Sequence, residues 1–141
     1  MRRVIAIVLA GLLMSACGSV SLDTAIRNWK IQSNFESNSL TLRHDVSHAV
    51  TVLAPADAGS LRHTVCAVLL MDADAANSSL PTPDSQASEL LARAYHDFAD
   101  AANVCYSAST PAQISHARAL LMAGVGTLVE GQWRLRALTT H

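Results

Sequence analysis

Between Ile114 and Leu138, apolar or small residues recur every three or four positions over about four heptads. The members of this series are Ile114, Ala117, Leu121, Gly124, Leu128, Gly131, Leu135 and Leu138. The spacing places them on one face of an α-helix, where large side chains alternate with small ones. Thr110 and Pro111 precede the series and suit the N-cap and the first position of a helix. The pattern therefore predicts a long final helix with room for a closely packed neighbour.

Three shorter series with the same period come before it. They are Leu42, Val46, Ala49, Val50 and Leu53; then Leu61, Val65, Val68, Leu69 and Ala76; then Ala87, Leu91, Ala94, Phe98, Ala101 and Cys105. Pro55 is expected to end the first helix, Asp57 to cap the second, and Asp84 or Ser85 to cap the third. Short links between four helices predict an all-α fold, an antiparallel up-down four-helix bundle over residues 35–141.

The composition agrees with this fold class. Half of the 141 residues are apolar but only 4% are aromatic, which suits closely packed helices better than a sheet. Without Arg2 and Arg3 the chain carries 8 basic and 11 acidic residues. No basic stripe remains, so we do not expect a nucleic-acid partner.

The N-terminus has the organisation of an export signal. Two arginines follow Met1, and the apolar segment "VIAIVLAGLL" from Val4 to Leu13 is too short to span a bilayer. The next residues, "LLMSAC", resemble the bacterial lipobox, whose cysteine receives a diacylglyceryl group and becomes residue one. We therefore predict a signal peptide over 1–16, lipidation of Cys17, and a tether with a short helical segment over 17–34. Acyl chains on Cys17 would anchor the protein to the extracytoplasmic face of the cell membrane.

The two remaining cysteines are Cys66 and Cys105. An even pair in an exported chain favours a disulfide, and two buried free thiols are the alternative. In an ideal antiparallel pair folded about residue 80, Cys66 would face roughly residue 94. A bond to Cys105 therefore requires an extended proline-rich link or helices that are offset or splayed.

The cysteines also belong to a longer pattern. Cys66, the segment Pro81–Asp84, Cys105 and a glycine-bearing last helix occur at spacings that resemble a group of small actinobacterial secreted proteins and lipoproteins of unknown function. The resemblance covers roughly residues 35–138. It implies a helical bundle with paired cysteines, and it supplies no activity.

Residues able to carry chemistry are few. His44 and His48 stand at i and i+4, the spacing of a His-x₃-His metal site, but no third ligand is evident and both are expected to face solvent. No catalytic motif is recognisable, and no cofactor is expected. Trp133 is expected to pack over the end of the bundle, with ligand binding as the alternative.

These patterns predict a non-enzymatic lipoprotein that acts through contact with a protein partner in the cell envelope. One alternative is a helical lipoprotein that binds a small ligand or a metal. A second is a prophage-encoded lipoprotein that blocks superinfection by related phages.

Overall fold

The computed structural model describes residues 20–54 and 59–140, and these residues are 84% helical with no strand among them. They form five helices: α1 (Leu22–Gln32), α2 (Phe35–Val52), α3 (Gly59–Asn77), α4 (Ser85–Ser107) and α5 (Pro111–Ala137). The predicted all-α class is confirmed, and α1 occupies the position of the expected short helical segment. Pro55 and Asp57, the predicted end and cap, lie outside the described residues.

Two predicted helix starts are present. The Asp84 carboxylate accepts a hydrogen bond of 2.8 Å from the backbone N–H of Ala87 and so caps α4. Thr110 and Gln113 form a reciprocal capping box at the start of α5, with Pro111 in the first turn. These bonds satisfy backbone N–H groups that a helix leaves without partners inside itself.

The two longest helices, α4 and α5, pack closely together at two glycines of α5. A Cβ atom added to Gly124 would lie 2.6 Å from Cε1 of Phe98, and one added to Gly131 would lie 2.8 Å from Cδ2 of Leu91. Gly131 lies seven residues after Gly124 on α5, but its contact Leu91 lies seven residues before Phe98 on α4. These two helices therefore run in opposite directions. The predicted stripe of large and small residues on α5 is therefore the face that packs on α4.

This contact predicts opposite effects for two glycines of α5. Gly124→Ala should lower the free energy of unfolding by about 1–2 kcal/mol, because its Cβ would meet the fully buried Phe98 ring and the Ala94 carbonyl oxygen. Gly126→Ala should raise it by up to about 1 kcal/mol, because that position is open and alanine favours the helix. Urea unfolding of both variants measures the two effects. Stabilisation by Gly124→Ala would contradict the described packing.

The buried face of α3 includes only part of the apolar series in its sequence. Cys66, Leu69, Ala73 and Ala76 are buried, whereas Leu61 and Val68 are 59% and 42% exposed. The buried residues recur at spacings of three and four and include Cys66, which meets α4. Val68 adjoins Leu69 and so points about 100° away from that face. Leu61 and Val68 therefore belong to the apolar series of α3 but not to its buried face.

Helix α1 lies against one end of the molecule. Ile26 is fully buried, and the Trp29 indole N–H donates a hydrogen bond of 2.9 Å to the Ser79 carbonyl oxygen just after α3. The Trp29 ring also lies 5.1 Å from that of Phe35, at the start of α2. Arg27 donates to the Thr139 carbonyl oxygen beyond α5. We call this region, where α1 meets the start of α2 and the ends of α3 and α5, the α1 end.

Candidate functional site

The predicted lipidation site, Cys17, lies outside the described residues. The described chain begins at Val20 and enters α1 at Leu22. Five positions in the sequence separate Cys17 from the first residue of α1.

Cys66 and Cys105 lie at disulfide distance, with Cα atoms 5.9 Å apart and both side chains fully buried. Cys66 is eleven residues before the end of α3 at Asn77, and Cys105 is twenty residues after the start of α4 at Ser85. At 1.5 Å per residue, the two helix ends are therefore offset by roughly 13 Å. This offset explains why Cys66 meets Cys105 and not residue 94.

The two histidines with metal-site spacing are neighbours on the surface of α2. His44 and His48 are both exposed, and their ring centroids are 4.1 Å apart. Over residues 20–54 and 59–140, no group of three or more His, Cys, Asp or Glu side chains could hold a metal ion. The structure thus brings the predicted pair together and places no third ligand beside it.

A carboxylate next to His44 has an unusual environment that the sequence did not reveal. Asp45 is 8% exposed, and its Oδ2 atom is buried without a hydrogen-bond partner. Burial, and after it Asp72 on α3, raise the pKa of Asp45 to about 6 from its ordinary 3.8. His44 opposes this shift weakly, with Nδ1 3.7 Å from Oδ1 of Asp45. The α2–α3 interface therefore holds two neighbouring carboxyl groups, one of them desolvated.

A second carboxylate acts structurally. Besides capping α4, Asp84 accepts hydrogen bonds from Nε and Nη2 of Arg134 at 3.2 and 3.1 Å. These bonds to the guanidinium of Arg134 hold the pKa of Asp84 below its usual range. The pair joins the start of α4 to the last turns of α5.

A cleft between α1, α2 and α5 at the α1 end collects basic side chains from three helices. We call it the basic cleft; its lining residues are Lys30, Phe35, Glu36, Ser39, Leu40, Arg43, Gln132 and Arg136. The sequence does not reveal this cleft, because Lys30 and Arg136 are more than 100 residues apart in it. No local motif marks either of them.

One exposed apolar stripe lies on the outer face of α5. It consists of Met122, Val129 and Trp133, which are 64%, 48% and 68% exposed. We call it the α5 stripe. The prediction that Trp133 packs over the bundle end was wrong: Trp133 stands two residues from the buried Gly131 and so faces away from α4, and Trp29 covers part of the α1 end instead.

None of the helices within the described part of the chain is both long and apolar enough to cross a membrane. Comparison of the chain with protein-family models, with curated proteins and with solved structures gives no match.

Proposed function

We propose that this chain is a lipoprotein anchored through Cys17 to the extracytoplasmic face of the cell membrane. The support for the anchor is the order of features at the N-terminus: two arginines, a short apolar segment, two small residues and a cysteine. The anchored end would be the α1 end, since few residues separate Cys17 from α1.

The part that projects from the membrane would be an antiparallel up-down bundle of α2, α3, α4 and α5 with α1 across one end. Contacts between successive helices support this arrangement. Asp45 on α2 neighbours Asp72 on α3, Cys66 on α3 meets Cys105 on α4, and α4 meets α5 at Gly124. A short, closely packed bundle of this kind is a rigid platform for a binding surface.

The observation that carries the functional proposal is the exposure of the α5 stripe. Met122, Val129 and Trp133 are spaced by seven and four residues, so they share one helical face. Exposed contiguous apolar surface on a soluble domain marks interaction sites, and tryptophan is prominent among residues that dominate protein interfaces. We therefore propose that the protein acts non-enzymatically, by contact with a protein partner in the cell envelope.

Site-specific photo-crosslinking in intact cells tests this function. A benzophenone side chain in place of Val129 in the full chain should give one defined adduct in the membrane fraction. The same probe in place of His96, an exposed residue of α4, is the control and should give none. The adduct should disappear when Met122→Ser and Trp133→Ser are added, because they remove the rest of the apolar face. Equal adducts from both positions, or none from position 129, would contradict the proposal.

A further inference from the structure

The basic cleft has the composition of an anion site. We propose that it binds a tetrahedral oxyanion of the phosphate class, as free phosphate or as the phosphate group of a larger molecule. This inference depends neither on the anchor at Cys17 nor on the α5 stripe. It rests on the charge, a buried hydroxyl and the helix start that meet in the cleft.

The cleft is positively charged although the chain as a whole is not. Three cations line it, Lys30, Arg43 and Arg136, against the single carboxylate of Glu36, whereas the whole chain has a formal net charge of −1. Glu36 lies on the rim: its side chain is 74% exposed, and one oxygen is 3.3 Å from Nζ of Lys30. The excess positive charge is therefore local to this cleft.

The two arginines retain donors for a ligand. Arg43 donates one N–H from Nη2 to the Gln132 side-chain oxygen, which holds the guanidinium at the cleft. Arg136 is exposed and makes no ion pair within the described residues. A guanidinium has five N–H donors in a planar fork, and phosphate oxygens accept such forks from several directions. Donors that arrive from α1, α2 and α5 match a tetrahedral acceptor better than a planar one.

Ser39 supplies the second, independent observation. The residue is only 4% exposed, it lines the cleft, and its hydroxyl Oγ is buried without a hydrogen-bond partner. Leaving a buried hydroxyl unpaired costs on the order of 1–3 kcal/mol. Rotation of the Ser39 side chain toward the cleft would let a bound oxyanion accept a hydrogen bond from this hydroxyl, which would recover that cost.

The start of α2 adds to the attraction for an anion. Its N-cap, Asn34, has a left-handed backbone with φ of 49°, and the Asn34 side chain makes no capping hydrogen bond. The N–H groups of the first turn therefore lack the usual side-chain acceptor. They present the positive end of the helix dipole near Phe35 and Glu36, which line the cleft.

The size of the cleft limits the ligand. Its volume is about 90 Å³, several times the space that one water molecule needs. A phosphate group fits this space, and the remainder of a larger ligand would have to lie outside. Free phosphate and a phospholipid headgroup share this chemistry, and the cleft lies at the α1 end, toward the proposed membrane anchor.

Isothermal titration of the full chain in detergent, at constant ionic strength against chloride, tests the site with two probes. One is inorganic phosphate, and the other is glycerophosphoglycerol, the deacylated headgroup of phosphatidylglycerol. We expect saturable binding that Arg136→Gln weakens about tenfold, which is the usual contribution of one charge-assisted hydrogen bond. Ser39→Ala should also weaken it. Arg93→Gln makes the same charge change at an exposed position of α4 and should leave the binding constant unchanged.

The two probes distinguish the source of the ligand. Tighter binding of inorganic phosphate would support a free anion, and tighter binding of glycerophosphoglycerol would support a lipid headgroup. Binding of neither probe, or equal weakening by Arg136→Gln and Arg93→Gln, would overturn the proposal. Circular dichroism of each variant checks that the helices are retained, which we expect since Arg136 and Arg93 are both exposed.

Discussion

Addition of a reductant is expected to lower the free energy of unfolding of the native chain by about 3–4 kcal/mol. The expectation follows from the position of Cys66 and Cys105, which are 39 residues apart in sequence and at disulfide distance in the fold. A bond between them closes a long loop in the unfolded chain and so removes conformational entropy from that state. In an oxidising compartment such a pair is expected to be bonded.

The matched control is Cys66→Ala/Cys105→Ala, measured by urea unfolding with and without the reductant. This variant lacks both thiols, so its stability should not respond to the reductant. Its own stability should be close to that of the reduced native chain, apart from the small loss of two buried sulfur atoms. Identical unfolding curves for the native chain under both conditions would show that the two cysteines are free thiols.

A second large effect is expected at Asp45: Asp45→Asn should stabilise the protein at neutral pH. The pKa of Asp45 is about 6 in the folded state and near 3.8 when the chain is unfolded. Between these values the folded state binds more protons than the unfolded state, so this group makes stability rise as the pH falls. The shift in the pKa of Asp45 lowers the free energy of unfolding at pH 7 by about 3 kcal/mol. About 1–1.5 kcal/mol of this loss is regained when the pH falls from 7 to 5.

The measurement is the free energy of unfolding at pH 7 and pH 5 for the native chain and for Asp45→Asn. The native chain should gain stability relative to the variant by about 1–1.5 kcal/mol over this interval. Asp74→Asn, an exposed substitution on α3 with the same change of charge, should keep the native pH dependence. If Asp45→Asn also keeps the native pH dependence, the Asp45 carboxyl group is not the source of that dependence.

The sequence predicted the helices best where one apolar face is long and regular. The stripe on α4 is buried throughout and the stripe on α5 is buried from Ala117 to Leu135, as their period predicts. The capping residues Asp84 and Thr110 lie where local chemistry requires them. Helix α3 was predicted less well, because it is apolar on more than one side. Leu61 and Val68 have the right spacing and hydrophobicity, but contact with α4 selects the face that contains Cys66.

The candidate sites were harder to predict, since each depends on the packing of distant segments. Nothing near Asp45 in the sequence indicates that Asp72 neighbours it, and the cations of the basic cleft come from three helices. The two tryptophans illustrate the same limit. Both side chains are large and apolar, but Trp29 packs against residues of other helices, whereas Trp133 is 68% exposed.

The central claim, that Cys17 is the anchored first residue of the mature protein, is tested most directly by its mass. The protein purified from membranes should give an intact mass that lacks residues 1–16 and exceeds the peptide mass of 17–141 by a diacylglyceryl group, with or without an amide-linked acyl chain. The N-terminal peptide should carry the whole excess on Cys17. A membrane-derived chain that retains residues 1–16, or that has an unmodified Cys17, would contradict the proposal.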